Sequence, residues 1–251
     1  MARRLPQIAH AAKRTGLDRK PIQNKILLAM IETEFGSIRP HLEHVVLPSH
    51  RSLCEPHELI KFVYFPNAGL ISIVVVLSHG KTVEAGLIGK EGVAGLPAIA
   101  GLKRSPLREV VQISGDAFRI RVHTFQKMLR STPILDGILK RYTLLLGLQV
   151  AQTAACNRLH DIERRLARWL LMAEDRVDSG LLHITHDFLA TMLGTDRSSV
   201  SLAANILQKM NIIKYSRGSV RVLDRHQLEG YACECYRAMQ NFNADGGSLR
   251  Q

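Results

Sequence analysis

The chain has 251 residues, of which 46% are hydrophobic, and this length is sufficient for two domains that each bury a core. Lysine and arginine number 34 against 22 aspartate and glutamate residues, and the net charge of +12 suits a polyanionic partner, while an anionic membrane surface or plain solubility would suit it as well. No uncharged apolar run is long enough to cross a bilayer, and four irregularly spaced cysteines argue against a disulfide scaffold.

Residues 1–24 form a basic N-terminal arm. Arginines and lysines, including Arg3, Arg4 and Lys13, outnumber the single acid Asp18. The arm lacks the apolar core of a signal peptide, and its charges interrupt it too often for a membrane anchor. We therefore expect a poorly ordered arm on a cytoplasmic protein that does not enter a membrane.

Residues 25–130 show the pattern of an antiparallel β-domain. Between about residues 44 and 122, short apolar runs alternate with turn residues, with turns predicted at 66–69, 78–80 and 114–116. Many short strands at regular spacing indicate a small antiparallel β-barrel or jelly roll. The glycines between 86 and 95 match no nucleotide-binding fingerprint, so they more often turn the chain than hold a phosphate.

Residues 131–157 are predicted to form one long helix that begins at Pro133. Apolar residues recur along two of its faces, so both faces must be covered. One face would pack on the barrel and the other on the same helix of a second subunit, which predicts a homodimer. Burial of both faces within one chain is the alternative. The candidate dimer residues, spaced by four and three, are Ile138, Tyr142, Leu145 and Gln149.

Residues 158–251 contain a pattern typical of a DNA-binding helix-turn-helix. Thr185 is a favourable N-cap for a first helix, Gly194 permits the tight backbone that ends it, and Asp196 can cap a second helix. The buried stripe of that second helix is predicted to be Val200, Ala204 and Leu207. An ordinary helical hairpin with a polar solvent face is the alternative.

The exposed face of the second helix carries side chains suited to DNA. Arginine can pair bidentately with guanine, while hydroxyls and amides bond to base edges or phosphates. Beyond it, β-rich runs at 212–215 and 219–223 predict a hairpin wing whose cations, Lys214, Arg217 and Arg221, would contact phosphates. The candidate DNA-binding residues are Thr185, Asp196, Arg197, Ser198, Ser199, Ser201, Asn205 and Arg217.

The order of β-barrel, long helix and winged helix-turn-helix resembles the Crp/Fnr family of bacterial transcription regulators over about residues 25–240, most specifically at 160–171, 185–200 and 217–225. The resemblance implies an α+β fold with a cyclic-nucleotide-binding-like sensor domain, a homodimer, a palindromic double-stranded DNA operator, and RNA polymerase as a further candidate partner. In the family, the residue matching Arg197 contacts bases. Ser198 and Leu202 match two base-reading positions that carry an acid and an arginine in the catabolite-activator type, so Leu202 joins the candidate DNA-binding residues and a different operator is implied.

The resemblance also implies the place of an effector pocket. In cyclic-nucleotide-binding members, a Gly-Glu pair holds the ribose and an Arg-Ser or Arg-Thr pair holds the phosphate. The matching residues are Gly89, Lys90, Glu91, Arg104 and Ser105. Lys90 stands where the acid is expected and offers a donor where the ribose needs an acceptor. We therefore expect an effector other than cyclic AMP, or none, with a true cyclic-nucleotide-gated regulator as the alternative.

The cysteines and histidines match no zinc-site spacing, so we expect neither a metal nor another cofactor. Cys233 and Cys235 fall in an apparent helix, where residues two apart point to different faces. Cys54 and Cys156 alone cannot ligate an iron–sulfur cluster. No nucleophile elbow or other catalytic motif is present, so we expect no enzyme. A ligand-responsive protein-interaction module without DNA binding is the stronger alternative, and Arg197 argues against it.

Overall fold

The computed structural model describes residues 14–177 and 179–247 of the chain. Its N-terminal half contains four short helices, α1 to α4, and a five-stranded sheet. The helices are α1 (Lys25–Ala29), α2 (Glu32–Ile38), α3 (Leu96–Ile99) and α4 (Val122–Leu129), and a 3-10 turn at Arg39–His41 follows α2. The strands are β1 (Glu43–Leu47), β2 (Ser52–Cys54), β3 (Phe62–Val76), β4 (Thr82–Ile88) and β5 (Arg108–Arg121).

The sheet is antiparallel, with strands in the order β1-β5-β3-β4 and with β2 also paired to β5. It is jelly-roll-like but does not close into a barrel. The turns predicted at 66–69 and 114–116 are instead irregularities within the long strands β3 and β5. Gly69, at φ 85°, and Gly115 let these strands approach closely, because a Cβ on Gly115 would lie 2.1 Å from the Ala68 carbonyl oxygen.

The long helix α5 (Pro133–Leu159) begins at the predicted proline and has 27 residues. It is followed by α6 (Ile162–Val177), and only His160 and Asp161 separate the two helices. Leu135, Leu139 and Cys156 of α5 are fully buried, so one face of this helix packs against the chain itself.

The C-terminal part is a winged helix-turn-helix. After β6 (Leu181–His183) come α7 (His186–Leu193), α8 (Arg197–Lys209), β7 (Ile213–Ser216) and β8 (Ser219–Val222), which form the predicted helix pair and hairpin. β8 lies between β6 and β7 in a three-stranded sheet. Two helices, α9 (Arg225–Tyr231) and α10 (Cys235–Gly247), complete this part. In the part of the chain that the structure describes, no helix is both long and apolar enough for a membrane span.

The two parts of the molecule share a hydrophobic core. Leu70, Leu87 and Ile113 of the large sheet belong to the same buried cluster as Trp169 of α6 and Leu189 of α7. A second cluster joins the N-terminal helices and α5 to Val63, Phe65 and Phe118 of the sheet. The helix-turn-helix is therefore packed on the sheet.

Helix α7 makes polar and ring contacts with the sheet as well. The Gln112 amide nitrogen lies 2.6 Å from the Met192 sulfur, and the rings of His50 and Phe188 are 5.3 Å apart in an edge-on arrangement. These contacts hold the first helix of the pair, and they leave the second helix, α8, free on its outer side.

The basic arm divides at residue 14. Residues 1–13, which include Arg3, Arg4 and Lys13, lie outside the described residues, and for them the poorly ordered arm stays a prediction. Part of the segment 14–24 is packed against the rest of the chain, contrary to the expectation for the arm: Gly16, Ile22 and Asn24 are buried, whereas residues 17–21 are exposed. The Arg14 guanidinium donates to the carbonyls of Leu27 and Met30 at 2.5 and 2.6 Å, and buried Asn24 accepts hydrogen bonds from the amides that begin α1. Arg14 thus supplies donors to carbonyl groups at the C-terminal end of α1, and these hydrogen bonds hold the segment before α1 in place.

Candidate nucleic-acid interface

The turn between α7 and α8 has the geometry that the sequence predicts. The Thr185 hydroxyl accepts the Phe188 amide at 3.3 Å and caps α7. Gly194 ends the helix with φ 61°, and its amide bonds back to the carbonyls of Ala190 and Thr191. The guanidinium of Arg165 on α6 donates a hydrogen bond to the carbonyl of Leu193, which has no partner within α7 because it lies in the last turn of the helix.

Asp196 caps α8 and organises the two serines that follow it. Its carboxylate accepts the Ser199 amide at 2.8 Å, the Ser199 hydroxyl at 2.7 Å and the Ser198 hydroxyl. These hydrogen bonds, with that of the Ser198 hydroxyl first, hold the pKa of the carboxyl well below its usual range. Asp196 and Ser199, predicted as DNA-binding residues, therefore have a structural role in the free protein.

Helix α8 buries one face and presents the other. Val200, Ala204 and Leu207 are buried as predicted, together with Ala203. The outer face borders an open depression of about 660 Å³. All five residues that line it were predicted from the sequence to bind DNA: Arg197, Ser198, Ser201, Leu202 and Asn205.

An acidic residue accompanies the arginine at this surface. Arg197 Nε lies 3.5 Å from the Asp187 carboxylate, and both side chains are 68% exposed. Such an exposed ion pair contributes little to stability. The Arg197 guanidinium can therefore leave Asp187 for another partner with little loss of stability.

Two residues next to the depression were missed by the sequence analysis. The His186 ring stacks on Tyr215 at 3.8 Å and its Nδ1 lies 2.9 Å from the Ser201 hydroxyl. Burial, and then the charge of Arg197, lower the pKa of His186, so the ring stays neutral near pH 7. Ile206, one turn after Leu202, is 38% exposed. An apolar pair on the outer face is the kind of surface that contacts thymine methyl groups.

The wing carries three exposed cations. Arg217 and Gly218 both have positive φ, 45° and 77°, which is the requirement of a type I′ hairpin turn. Lys214 and Arg221 are opposite each other in the register of β7 and β8. The Gln208 side chain accepts the Tyr215 amide at 2.9 Å and fixes the wing to α8.

The residues predicted for an effector pocket occupy different surroundings. Glu91 accepts the Gly89 amide at 3.2 Å and forms an ion pair with buried Arg176 of α6 at 2.7 Å. Arg104 instead donates to the His57 carbonyl at 2.6 Å, and the Ser105 hydroxyl bonds within its own turn. The backbone carbonyl of Lys90 accepts the Lys25 amide at 2.7 Å. The carboxylate of Glu91, the acid next to the position where a ribose-binding acid is expected, is therefore engaged with α6.

A buried polar network that sequence reasoning missed joins the sheet to α6. Glu84 Oε1 accepts the indole N–H of Trp169 at 2.9 Å, and its other oxygen bonds to the Ser72 hydroxyl. Burial raises the pKa of Glu84 from 4.5 to about 7, and burial has the same effect on Glu109. No local motif could reveal this network, because its members are far apart in sequence.

The predicted dimer residues lie mainly on the inner face of α5. Ile138 and Tyr142 are buried in the chain's own core, Gln149 bonds to Arg176 at 2.8 Å, and Leu145 is half-buried. The outer face is a different stripe. Its members are spaced by four, three and four residues and are exposed: Leu144, Leu148, Ala151 and Ala155.

Comparisons with known proteins agree with this architecture. Residues 164–231 match the Crp-like helix-turn-helix domain family. No sequence among the curated proteins matches the chain. Solved structures with the same fold include FixK2 from Bradyrhizobium japonicum, with 15% identity, a TM-score of 0.66 and coverage of 76% of this chain and 98% of that one.

Two further structures extend the likeness. A CRP-family transcriptional regulator from Thermus thermophilus has 18% identity and a TM-score of 0.62, and covers 76% of this chain and 96% of its own. A CooA mutant from Carboxydothermus hydrogenoformans has 15% identity and a TM-score of 0.59, and covers 89% and 98%. The predicted resemblance is confirmed: the chain has the Crp/Fnr fold and carries a Crp-like helix-turn-helix domain.

Proposed function

We propose that this chain, as a carrier of the Crp/Fnr fold with a Crp-like helix-turn-helix domain, is a transcription regulator that reads a palindromic operator with α8. The observation that carries the proposal is the depression on the outer face of α8, where Arg197, Ser201 and Asn205 surround Leu202. A cation, a hydroxyl and an amide beside an apolar side chain match the groups that a major groove offers.

In this proposal, the arginine that begins α8 and the cations of the wing have different roles. Arg197 opens α8, and the N-terminal part of such a helix enters the major groove. It would exchange Asp187 for a guanine edge. Arg217, at the tip of the wing, would contact phosphate and fix the register without reading sequence.

Binding measurements on wild type and two variants test this division. Arg197→Ala should weaken the specific site by about 1–3 kcal/mol and relax preference at one base pair. Arg217→Ala should weaken specific and random DNA alike and reduce the salt slope by about 1. Lys127→Ala, which removes an exposed cation of α4, is the matched control and should change neither value. Equal losses on both DNAs for Arg197→Ala would refute base reading.

Dimerisation would use the outer stripe of α5 and not the four residues of this helix that the sequence analysis predicted. Leu144 is 65% exposed and Leu148 is 37% exposed, and two alanines continue the stripe. Leucines next to small residues allow two helices to approach closely across a two-fold axis. Such a dimer would present two copies of α8 to half-sites about 34–36 Å apart.

The effector of the proposed regulator would not be cyclic AMP. Glu91 is held by Arg176, and Arg104 is held by a backbone carbonyl, so neither side chain is available in this conformation to bind a nucleotide. Calorimetry with cyclic AMP and cyclic GMP tests this. Micromolar binding that is lost in Glu91→Ala or Arg104→Ala would contradict the proposal.

A further inference from the structure

Three cysteines and one histidine converge where α5 meets the C-terminal segment. The Sγ atoms of Cys156, Cys233 and Cys235 and a ring nitrogen of His160 all lie within 4.8 Å of one another. The three cysteines are buried and form a cluster of their own, while His160 lies at its edge. Cys54, the remaining cysteine of the chain, lies in the N-terminal core.

The ligands come from two segments, and this explains why spacing alone did not reveal them. Cys156 and His160 are four residues apart at the end of α5, so they share one side of the helix. Cys233 precedes α10, which begins at Cys235. The prediction that both cysteines lie within a helix and point to different faces was therefore wrong, because the turn at Glu234 brings both sulfurs to the same side.

The distances suit one tetrahedral ion. Cys156 Sγ lies 3.5 Å from Cys233 Sγ, and Cys235 Sγ lies 3.6 Å from His160 Nδ1. Thiolates bound to zinc at about 2.3 Å in a tetrahedron are separated by about 3.8 Å. A [4Fe–4S] cluster, which takes each thiolate on a different iron atom, would hold these sulfurs farther apart.

Side chains around the cluster are arranged as they are around ligated metals. His160 turns Nδ1 toward the cysteines, and its Nε2 lies 3.1 Å from the Glu234 carboxylate. A carboxylate on the far nitrogen orients a ligating histidine and raises its basicity. The Gln152 amide donates to Cys235 Sγ at 3.1 Å, a contact that stabilises a thiolate.

The charge balance also favours an ion. Three thiolates, one neutral imidazole and a divalent cation sum to one negative charge. Arg168 of α6 is buried, its Nη1 lies 3.4 Å from the sulfur of Met172, and its Nε has no hydrogen-bond partner among the described residues. The charges of Arg165 and Arg168 act on Cys156 and its neighbours. An anionic centre would offset the cost of burying cations beside it, and Arg168 otherwise has only the buried carboxyl of Glu84 nearby among the described acids that act on it.

We propose that Cys156, His160, Cys233 and Cys235 bind one zinc ion, which fastens the end of α5 to the start of α10. The site lies at the two-residue link between α5 and α6, so the ion would fix the angle at which the helix-turn-helix leaves the long helix. Soft thiolate ligands select zinc over hard cations such as magnesium. Metal binding does not depend on the proposed DNA function.

Metal analysis of the full chain, purified under reducing conditions and loaded with zinc, tests the site. We expect one zinc per chain. Cobalt substituted for zinc should give the intense visible bands of a tetrahedral thiolate site. Cys233→Ser should abolish stoichiometric binding, whereas Cys54→Ser, the matched control outside the cluster, should retain it.

A variant that exchanges one metal ligand for another distinguishes loss of the metal site from misfolding. His160→Cys should keep one metal per chain and shift the cobalt bands to those of four sulfur ligands. Absence of metal from the reduced wild type, equal binding by Cys54→Ser and Cys233→Ser, or cobalt bands that do not change in His160→Cys would each overturn the proposal. A disulfide between Cys156 and Cys233 that forms in the presence of zinc and reductant would also overturn it.

Discussion

Replacement of Glu84 by glutamine should remove a large part of the pH dependence of stability. This carboxyl is buried between Ser72 of the sheet and Trp169 of α6, with Arg168 and Arg176 nearby. Glutamine keeps the acceptor for the Trp169 indole and cannot ionise, so the variant separates charge from packing.

The magnitude follows from the raised pKa. Burial moves the pKa of Glu84 from 4.5 to about 7, and each pKa unit corresponds to about 1.36 kcal/mol, so ionising the group in the folded protein costs about 3 kcal/mol. The folded chain holds a proton that the unfolded chain has released. The contribution of protonated Glu84 to the free energy of unfolding is therefore complete below pH 4.5, declines as the pH rises and is lost above about pH 7.

Urea unfolding at several pH values between about 5 and 8 measures this contribution. Trp169 is the only tryptophan of the chain and is buried, so its fluorescence reports directly on the region of Glu84. Wild type should lose about 2.5 kcal/mol more than Glu84→Gln over that range, because part of the loss already occurs below pH 5. Glu58→Gln, at an exposed site, is the control and should behave as wild type. Parallel pH profiles for wild type and Glu84→Gln would refute the reasoning.

Three further outcomes are expected. Leu148→Asp should convert the proposed dimer to a folded monomer in sedimentation, and a folded dimer of this variant would exclude the outer stripe of α5 as the interface. Ile138→Asp, at a buried site, should instead destabilise the fold by about 3–5 kcal/mol. Glu234→Gln should weaken zinc affinity about 10–100-fold in chelator competition, and unchanged affinity would exclude its role toward His160. Thr185→Ala should cost about 1 kcal/mol in thermal unfolding, and no change would show that the cap of α7 is dispensable.

The helix-turn-helix was predictable because its signals are local. A cap at Thr185, a left-handed glycine at 194 and a cap at Asp196 each act within a few residues, and all three adopt the expected geometry. The sheet was harder to predict. Pro66 and Gly69 resemble a turn in the sequence, yet the chain continues as one strand because a facing glycine on β5 makes room for the irregularity.

Contacts between distant segments set the limit of prediction. Periodicity shows that α5 has two apolar faces, but only the structure shows that Ile138 and Tyr142 meet the chain's own core. Likewise, Cys156 and Cys233 are 77 residues apart, and their meeting depends on how α10 returns to α5. Neither fact has a signal within a short window of sequence.

The core shared by the sheet and the helix-turn-helix restricts how this molecule could be divided. Leu70, Leu87 and Ile113 cover the same cluster that encloses Trp169, so a C-terminal fragment produced alone would expose apolar surface and tend to aggregate. The intact chain should melt in one transition and not in two. Chimeras that exchange the helix-turn-helix between regulators would need to carry the matching face of the sheet with it.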